Sequence, residues 1–430
     1  MRVNRRQLLR LMASGAALGL TAAATSKSGL RSAVASPPPY PVGVANGTDA
    51  YEATLRAVEA NAGWPGALIA GRRVVIKPNL VTPKPASTGA TTDPRVVQAL
   101  VDLSLQSGAA RVEIVETSPR GPHFSACGYD FFSGYGEQVA LVDLAVWPVQ
   151  SYRVPSWMAY RRLYLYQPLM EPDVVLISAG KLKTHSDALV SLSMKNLFGL
   201  PPWRPYFNGA ITGRFAMHER SVSQTVIDLN LARPIHFAVV DGIWAMEGRG
   251  PITGTPVAMD VVLAGSNALA VDRACLAAMQ VPQDAVQHLR YASDKGLGPT
   301  GLADIALAGD SLPSRPFLLP DTGPVVDMPQ CVPVQFSPSS GQSTTVSFRV
   351  DRACTARVEI VRVSDFQPAV ELIRTLQDWA GIPSGENVTQ WDGRDDAQNV
   401  VAPGRYGVRV VADAPSKQQD NFATGWAQVV

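Results

Sequence analysis

Apolar residues follow two rhythms along this chain. In RRVVIKP (72–78), RVEIVET (111–117), DVVLISA (173–179), HFAVVDG (236–242), MDVVLAG (259–265) and DIALAG (304–309) they form short runs bounded by Gly, Pro or charge. Runs of this kind, rich in Val and Ile, are the pattern of strands covered on both faces. Between them, DPRVVQALVDLSLQSG (93–108), ERSVSQTVIDLNLA (219–232) and NALAVDRACLAAMQ (267–280) space their apolar residues by three and four, as helices do. The alternation predicts an α/β domain over 49–310, with a mostly parallel sheet and helices on both faces.

The rhythm changes after residue 310. SLPSRPFLLPDTGPVVDMP reads as a Pro-rich linker over 311–330. TTVSFRV (344–350), ARVEIVRV (356–363) and RYGVRVVAD (405–413) then alternate apolar and polar residues, as strands with one wet face do. The DG and PG turns of WDGRDDAQNVVAPGRYGVRV (391–410) complete a small all-β sandwich over 331–430. One stretch departs from it: FQPAVELIRTLQDWAG, within 366–386, reads as a helix. At the other end, Arg5 and Arg6 precede the apolar run LMASGAALGLTAAA (11–24), and AVA (33–35) offers small residues for cleavage. Residues 1–35 therefore resemble a twin-arginine signal peptide, followed by a stiff linker over 36–48 that begins SPPPYPVG. That implies export to the periplasm or beyond by a route that carries folded cargo. No later segment reads as a transmembrane helix.

Composition excludes more than it assigns. With 46% hydrophobic and 17% charged residues and a formal net charge of +2, the chain has no global attraction for nucleic acid or anionic lipid. Its tryptophans and arginines form no basic aromatic stripe, so no nucleic-acid partner is expected. Cys127, Cys275, Cys331 and Cys354 include no CxxC pair, which argues against an iron–sulfur cluster. Cys331 and Cys354 are either a disulfide formed after export or, like the other two, small hydrophobes. No GxGxxG follows a strand and no GxxxxGK[ST] occurs, so neither a dinucleotide nor a phosphate-loop site is expected. Without a GxSxG elbow, an α/β-hydrolase is excluded as well.

Candidate chemistry lies in the lysines, of which the chain has eight against thirty arginines. A lysine is a compact cation whose charge responds to burial, whereas an arginine stays charged. In LISAGKLKTHSDALVSLSMKNLFG (177–200), a strand continued past Gly180 would point Lys181, Lys183 and His185 the same way, at the ligand-binding edge of an α/β sheet. Ser186 or Asp187 would then cap a helix stopped by Gly199. Such a helix would carry Lys195 and Asn196 about 12 Å from its start. VVIKPNLVTP (74–83) adds Lys77 and Asn79 at a second strand end. VVDGIWAMEGRGPITG (239–254) adds Asp241 at a strand end and Glu247 in a Gly-rich loop, as base or metal ligands, and Glu116 has the same status at lower rank. His185, His218, Asp241 and Glu247 form a conceivable mixed nitrogen–oxygen set for a divalent metal. Asp272, on a helix, is read as contacting a neighbouring loop.

Taken in order, VVIKPNLV with DPRVVQALVD, KLKTHSDALVSLSMKNLFGL, HERSVSQTVIDL, and FAVVDGIWAMEGRGPITGTP with NALAVDRACLAAM resemble the domain of unknown function family 362 over about residues 70–310. That resemblance implies an α/β fold and no settled activity. WDGRDDAQNVVAPGRYGVRV resembles the Ig-like domain of flagellar hook-capping proteins, a module without catalytic residues. Two readings of function follow. One is an exported enzyme acting on a small anionic or carbonyl substrate, with Lys181, Lys183, His185, Asp241 and Glu247 in catalysis and Lys77, Asn79, Lys195 and Asn196 in binding. The other is an exported, non-catalytic binder of an anionic metabolite or metal, tethered to a cell-surface or protein partner by its C-terminal domain.

Overall fold

The computed structural model describes residues 39–61, 63–118, 121–206, 215–218, 221–363, 370–413 and 422–430. The expected signal peptide lies outside them. The first region runs β1 (Tyr40–Asn46), α1 (Ala50–Asn61), β2 (Arg73–Pro78), α2 (Pro94–Gln106), β3 (Arg111–Glu116), β4 (Val139–Asp143) and a hairpin of β5 (Val149–Arg153) and β6 (Arg162–Tyr166). It continues through β7 (Val174–His185), β8 (Leu189–Ser191), α3 (Ser193–Asn196), α4 (Val222–Ala232), β9 (Phe237–Glu247), β10 (Thr255–Gly265), α5 (Ala268–Met279), α6 (Gln287–Asp294) and β11 (Ile305–Gly309).

The main sheet has the order β11-β1-β10-β9-β7-β2-β3-β4, with β8 folded back onto β7. Pairing is parallel from β9 through β7, β2 and β3 to β4, and antiparallel where β10 meets β9 and β1. Alternate residues of one strand feed two cores. Val74 and Ile76 join Val97 and Leu100 of α2, while Val75 joins Val226 of α4 and Val271 of α5. Both faces of the sheet are therefore dry, which is why its strands read as continuous apolar runs.

Three expectations need correction. The linker expected over 36–48 contains β1, which pairs antiparallel with β10 and parallel with β11. Val42 and Val44 are buried there, and burial on a sheet outweighs the signal of the preceding prolines. The helix expected in FQPAVELIRTLQDWAG is a strand over Val370–Ile382, paired antiparallel with Cys354–Val363 (residues 366–369 lie outside the described ones). Its β-branched and aromatic residues face a ready edge, and the cross-strand pairing outweighs helix propensity. The helix expected to start at Ser186 or Asp187 is a tight turn into β8, described below.

The C-terminal region is all-β, with one sheet of three strands and one of five. Val346, Phe348 and Trp391 of the smaller sheet share a core with Ile360, Tyr406 and Val410 of the larger. Cys331 and Cys354 are free thiols, so the disulfide alternative is not formed. These sheets pack on the first region through Trp426 Nε1, which donates to Met158 O at 2.7 Å, and Gln224 Nε2, which donates to Thr424 O at 3.0 Å. Arg290 of α6 pairs with Asp327 at 2.5 Å. No helix among the described residues is long and apolar enough to cross a membrane.

Candidate functional site

Four parallel neighbours, β3, β2, β7 and β9, end along one edge of the sheet. Glu116 and Lys77 stand at or next to the ends of β3 and β2, and beside them β7 carries the 181–185 segment and β9 carries Asp241, opposite Lys181, toward the carboxyl side where open α/β sheets bind ligands. β7 runs past Gly180 to His185, so Lys181 and Lys183 remain in a strand. Gly180 is required by close approach: a Cβ there would lie 3.0 Å from the carbonyl oxygen of Leu192. The backbone crossing at that point folds the 189–196 segment over the strand end.

That crossing decides where Lys195 goes. The turn after His185 reverses the chain, and β8 pairs back on β7 with Lys183 opposite Ser191 and His185 opposite Leu189. The helix then starts at Ser193, not Asp187, because its cap comes from another part of the chain. Asp272 of α5 accepts from Ser193 N at 2.8 Å, Ser193 Oγ at 2.5 Å and Met194 N at 3.0 Å. Burial pushes the Asp272 carboxyl up to about 7, against the pull of those three donors. A helix of one turn replaces the expected long one, and Lys195 Nζ lies 2.9 Å from His185 Nε2 instead of being carried down a helix axis.

The lysines are buried, with side chains of Lys77, Lys181, Lys183 and Lys195 between 0% and 6% exposed. A buried ammonium is costly unless paired, and the structure treats the four differently. Lys181 pairs with Asp241 at 2.7 Å, both fully buried. Lys77 pairs with Glu116 at 2.7 Å and also donates to Pro78 O. Each carboxylate also holds backbone donors. Asp241 additionally accepts from Asp93 N at 2.7 Å and Ile243 N at 3.0 Å, and Glu116 from Leu80 N at 3.2 Å and Thr117 N at 2.8 Å.

Lys183 is held by neutral oxygens: Asn79 Oδ1 at 2.9 Å, Ala90 O at 2.5 Å and Pro251 O at 3.2 Å. Burial, then the charges of Lys195, Lys181 and Lys77, push its amine well below the ordinary value, with Glu116 opposing. Burial, followed by Lys195 and Lys183, does the same to the His185 imidazole. The two asparagines tie the strands together. Asn196 Nδ2 donates to Lys77 O at 2.7 Å and Ser178 Oγ at 3.1 Å, and Asn79 Nδ2 donates to Asn196 Oδ1 at 3.3 Å.

The structure thus brings together Lys77, Asn79, Lys181, Lys183, His185, Lys195, Asn196 and Asp241. Glu247 stands apart. It ends β9 rather than sitting in a loop, and its Oε2 accepts from Leu318 N at 3.1 Å and lies 3.4 Å from Arg315. His218 approaches Asp187 at 3.8 Å and packs on the Phe198 ring with centroids 4.8 Å apart. Among the described residues no group of three or more His, Cys, Asp and Glu side chains gathers as a metal site would, so the mixed set of His185, His218, Asp241 and Glu247 is not assembled.

Sequence reasoning missed His288 of α6. It is fully buried, both ring nitrogens lack a hydrogen-bond partner, and burial followed by the Lys195 charge pushes it down to about 3. A lone histidine in a helix far along the chain carries no local signal. The carbonyls of Ala90 and Pro251 were equally hidden, since any residue has one.

Residues 74–277 match the family model described as domain of unknown function (DUF362). The matched region holds every lysine, asparagine and carboxylate of this edge but not His288. A thylakoid-associated protein, sll1697, of Synechocystis sp. is 27% identical over 239 residues, spanning 54% of this chain and 70% of that protein. Among solved structures, an alkylpurine DNA glycosylase of Pseudomonas fluorescens aligns with 25% of this chain and 30% of its own, at 13% identity and a TM-score of 0.17. A β-glucosidase of Erythrobacter marinus aligns with 90% of this chain and 49% of its own, at 12% identity and a TM-score of 0.18. The chain spans less than half of either solved structure.

Proposed function

We propose that this chain is an exported enzyme acting on a small anionic or carbonyl substrate at the lysine-lined sheet edge. The carrying observation is Lys183, a fully buried amine set among three other lysines and held only by neutral oxygens. An anion beside it would relieve both its desolvation and the repulsion from its neighbours. Fixed cations at a dry site also stabilise negative charge that develops during reaction. Lys183 binds the anion in this reading, His185 and Lys195 move protons, and the pairs Lys77–Glu116 and Lys181–Asp241 set the electrostatic field. Asp241, first considered as a base, acts in this reading as a positioning group, because Lys181 Nζ and Asp93 N hold its Oδ2 and Ile243 N holds its Oδ1.

The engagement of Asp241 by a lysine and two backbone donors favours the second reading, a non-catalytic binder of an anionic metabolite. In either case the C-terminal sheets are proposed as an Ig-like module serving a cell-surface or protein partner. Support comes from the open cleft of about 490 Å³ where Trp157, Trp426 and Arg405 meet Arg153 and Lys295. Export rests on the N-terminal sequence alone. A thermal-shift screen of carboxylates, phosphates and oxo acids on the full chain tests the site. Stabilisation by an anion should vanish in Lys183→Met and His185→Ala while both variants stay folded. Unchanged stabilisation in both would refute the site, and stabilisation without turnover of any screened compound would select the binder.

A further inference from the structure

The ammonium of Lys183 has no donor to spare. It carries three protons, and three oxygens that can only accept surround it: Asn79 Oδ1 at 2.9 Å, Ala90 O at 2.5 Å and Pro251 O at 3.2 Å. An anion that binds Lys183 must therefore displace one of them. The segment that carries Ala90 is fixed to its surroundings. Thr91 Oγ1 donates to Lys84 O at 2.8 Å, Thr92 Oγ1 to Ala179 O at 2.9 Å, and Asp93 N to Asp241 at 2.7 Å. Asn79 is tied to Asn196 at 3.3 Å.

Pro251 makes the longest of the three contacts and lies in the hairpin loop between β9 and β10. The base of that loop is held. Thr184 Oγ1 donates to Gly248 O at 2.9 Å, Ser186 N to Gly250 O at 3.1 Å and Gly248 N to Leu318 O at 2.6 Å. The tip, residues 251–253, spans from Gly250 to Gly254, and two lysines reach its carbonyls. The buried Lys183 takes Pro251 O, and the half-buried Lys84 donates from Nζ to the next one, Ile252 O, at 3.0 Å.

We propose that Lys84 is the latch of this site: it holds the 251–253 tip as a lid over Lys183, and a small anion binds by taking the place of Pro251 O when the lid lifts. This rests on the lysine-site reading above and adds how the site is entered. An anionic oxygen wins the exchange because a charged acceptor bonds an ammonium more strongly than a carbonyl does. The lifted carbonyls of a half-buried tip bond to water instead. One segment, 79–92, supplies both fixed contacts to Lys183 and the latch on the third. Lys84 is thus a positioning residue, acting on Lys183 through the loop. Binding that waits for a rarely open lid is weakened by the open fraction. Removing one hydrogen bond to a charged donor should raise that fraction by about tenfold.

The full chain is labelled with N-hydroxysuccinimidyl acetate, digested and mapped by mass spectrometry. Lys183 is read against Lys181, its neighbour on β7, which is also 0% exposed. Lys84→Met should raise acetylation of Lys183 by about tenfold and leave Lys181 unchanged. Lys84→Arg, which keeps a donor, should keep Lys183 protected. A second series adds inorganic phosphate, which should slow labelling of Lys183 at about tenfold lower concentration in Lys84→Met than in the wild type. Unchanged labelling of Lys183 in Lys84→Met overturns the latch. An equal rise at Lys181 overturns it as well, because the whole sheet edge has then loosened. If Lys183 labelling is unchanged and phosphate protects it equally in both proteins, the latch falls and the anion site stands. If Lys183 labelling rises alone and phosphate protects it in neither protein, the latch stands and the anion site falls.

Discussion

The two fully buried lysines of β7 should respond in opposite ways to the same substitution. Replacing Lys181 by Met leaves Asp241 as a carboxylate at 0% exposure without its partner at 2.7 Å. Removing one member of a buried pair costs about 3–5 kcal/mol. At roughly 2–4 °C per kcal/mol for a domain of this size, the α/β transition should fall by roughly 6–20 °C. Lys183→Met orphans no carboxylate. It leaves three acceptors without their donor, at about 1–3 kcal/mol for an unsatisfied buried group. In return it removes an ammonium that burial and three lysines already disfavour, a penalty of several kcal/mol per buried ion. The two terms oppose each other, so its melting temperature should fall by less than the Lys181→Met shift, while stabilisation by anions is lost. Scanning calorimetry with and without added carboxylates reads both quantities. If Lys183→Met fell as far as Lys181→Met, Lys183 would be a structural pin, and the argument that it is kept for a ligand would fail.

Three further outcomes follow from the geometry. Folding keeps His288 neutral down to about pH 3, whereas the unfolded histidine takes up its proton near 6.5. Its contribution is therefore complete above pH 6.5 and drains away as pH falls toward 3, by roughly 3–5 kcal/mol; His288→Phe should flatten this limb in denaturant titrations, and an unchanged limb would assign it elsewhere. At Gly199 a Cβ would stand 3.1 Å from Lys77 Cε, so Gly199→Ala should disturb the Lys77–Glu116 pair and weaken anion stabilisation with little effect on melting, whereas at Gly250 it would lie 2.0 Å from Thr184 O and Gly250→Ala should lower the melting temperature outright. Trp426→Ala removes the bond to Met158 O and the indole edge-on to Trp157, 4.6 Å between centroids. It should separate the unfolding of the C-terminal sheets from that of the first region, and a single unshifted transition would show that the junction is held by other contacts.

Periodicity sufficed for much of the architecture. Val- and Ile-rich runs become buried strands because both sheet faces are covered, and α2 begins where Asp93 accepts from Arg95 N behind Pro94, a cap written in adjacent residues. The scarcity of lysine singled out Lys77, Lys181, Lys183 and Lys195, because residue choice at a buried charged position is itself a chemical statement. The path from Lys183 to Lys195 was not legible. The helix they were expected to share begins instead at Ser193, capped by Asp272 from α5, and Gly180 reads as an ordinary strand glycine until the Leu192 backbone is seen lying on it. Glu247 looked like a site acid beside Asp241, yet lies at the end of β9 bonded to the 311–330 segment. Local sequence fixes which groups are present and how each segment prefers to bend. Which amine meets which imidazole, and which carboxylate is already spent on backbone donors, depends on contacts between distant segments, and only the packed chain decides those.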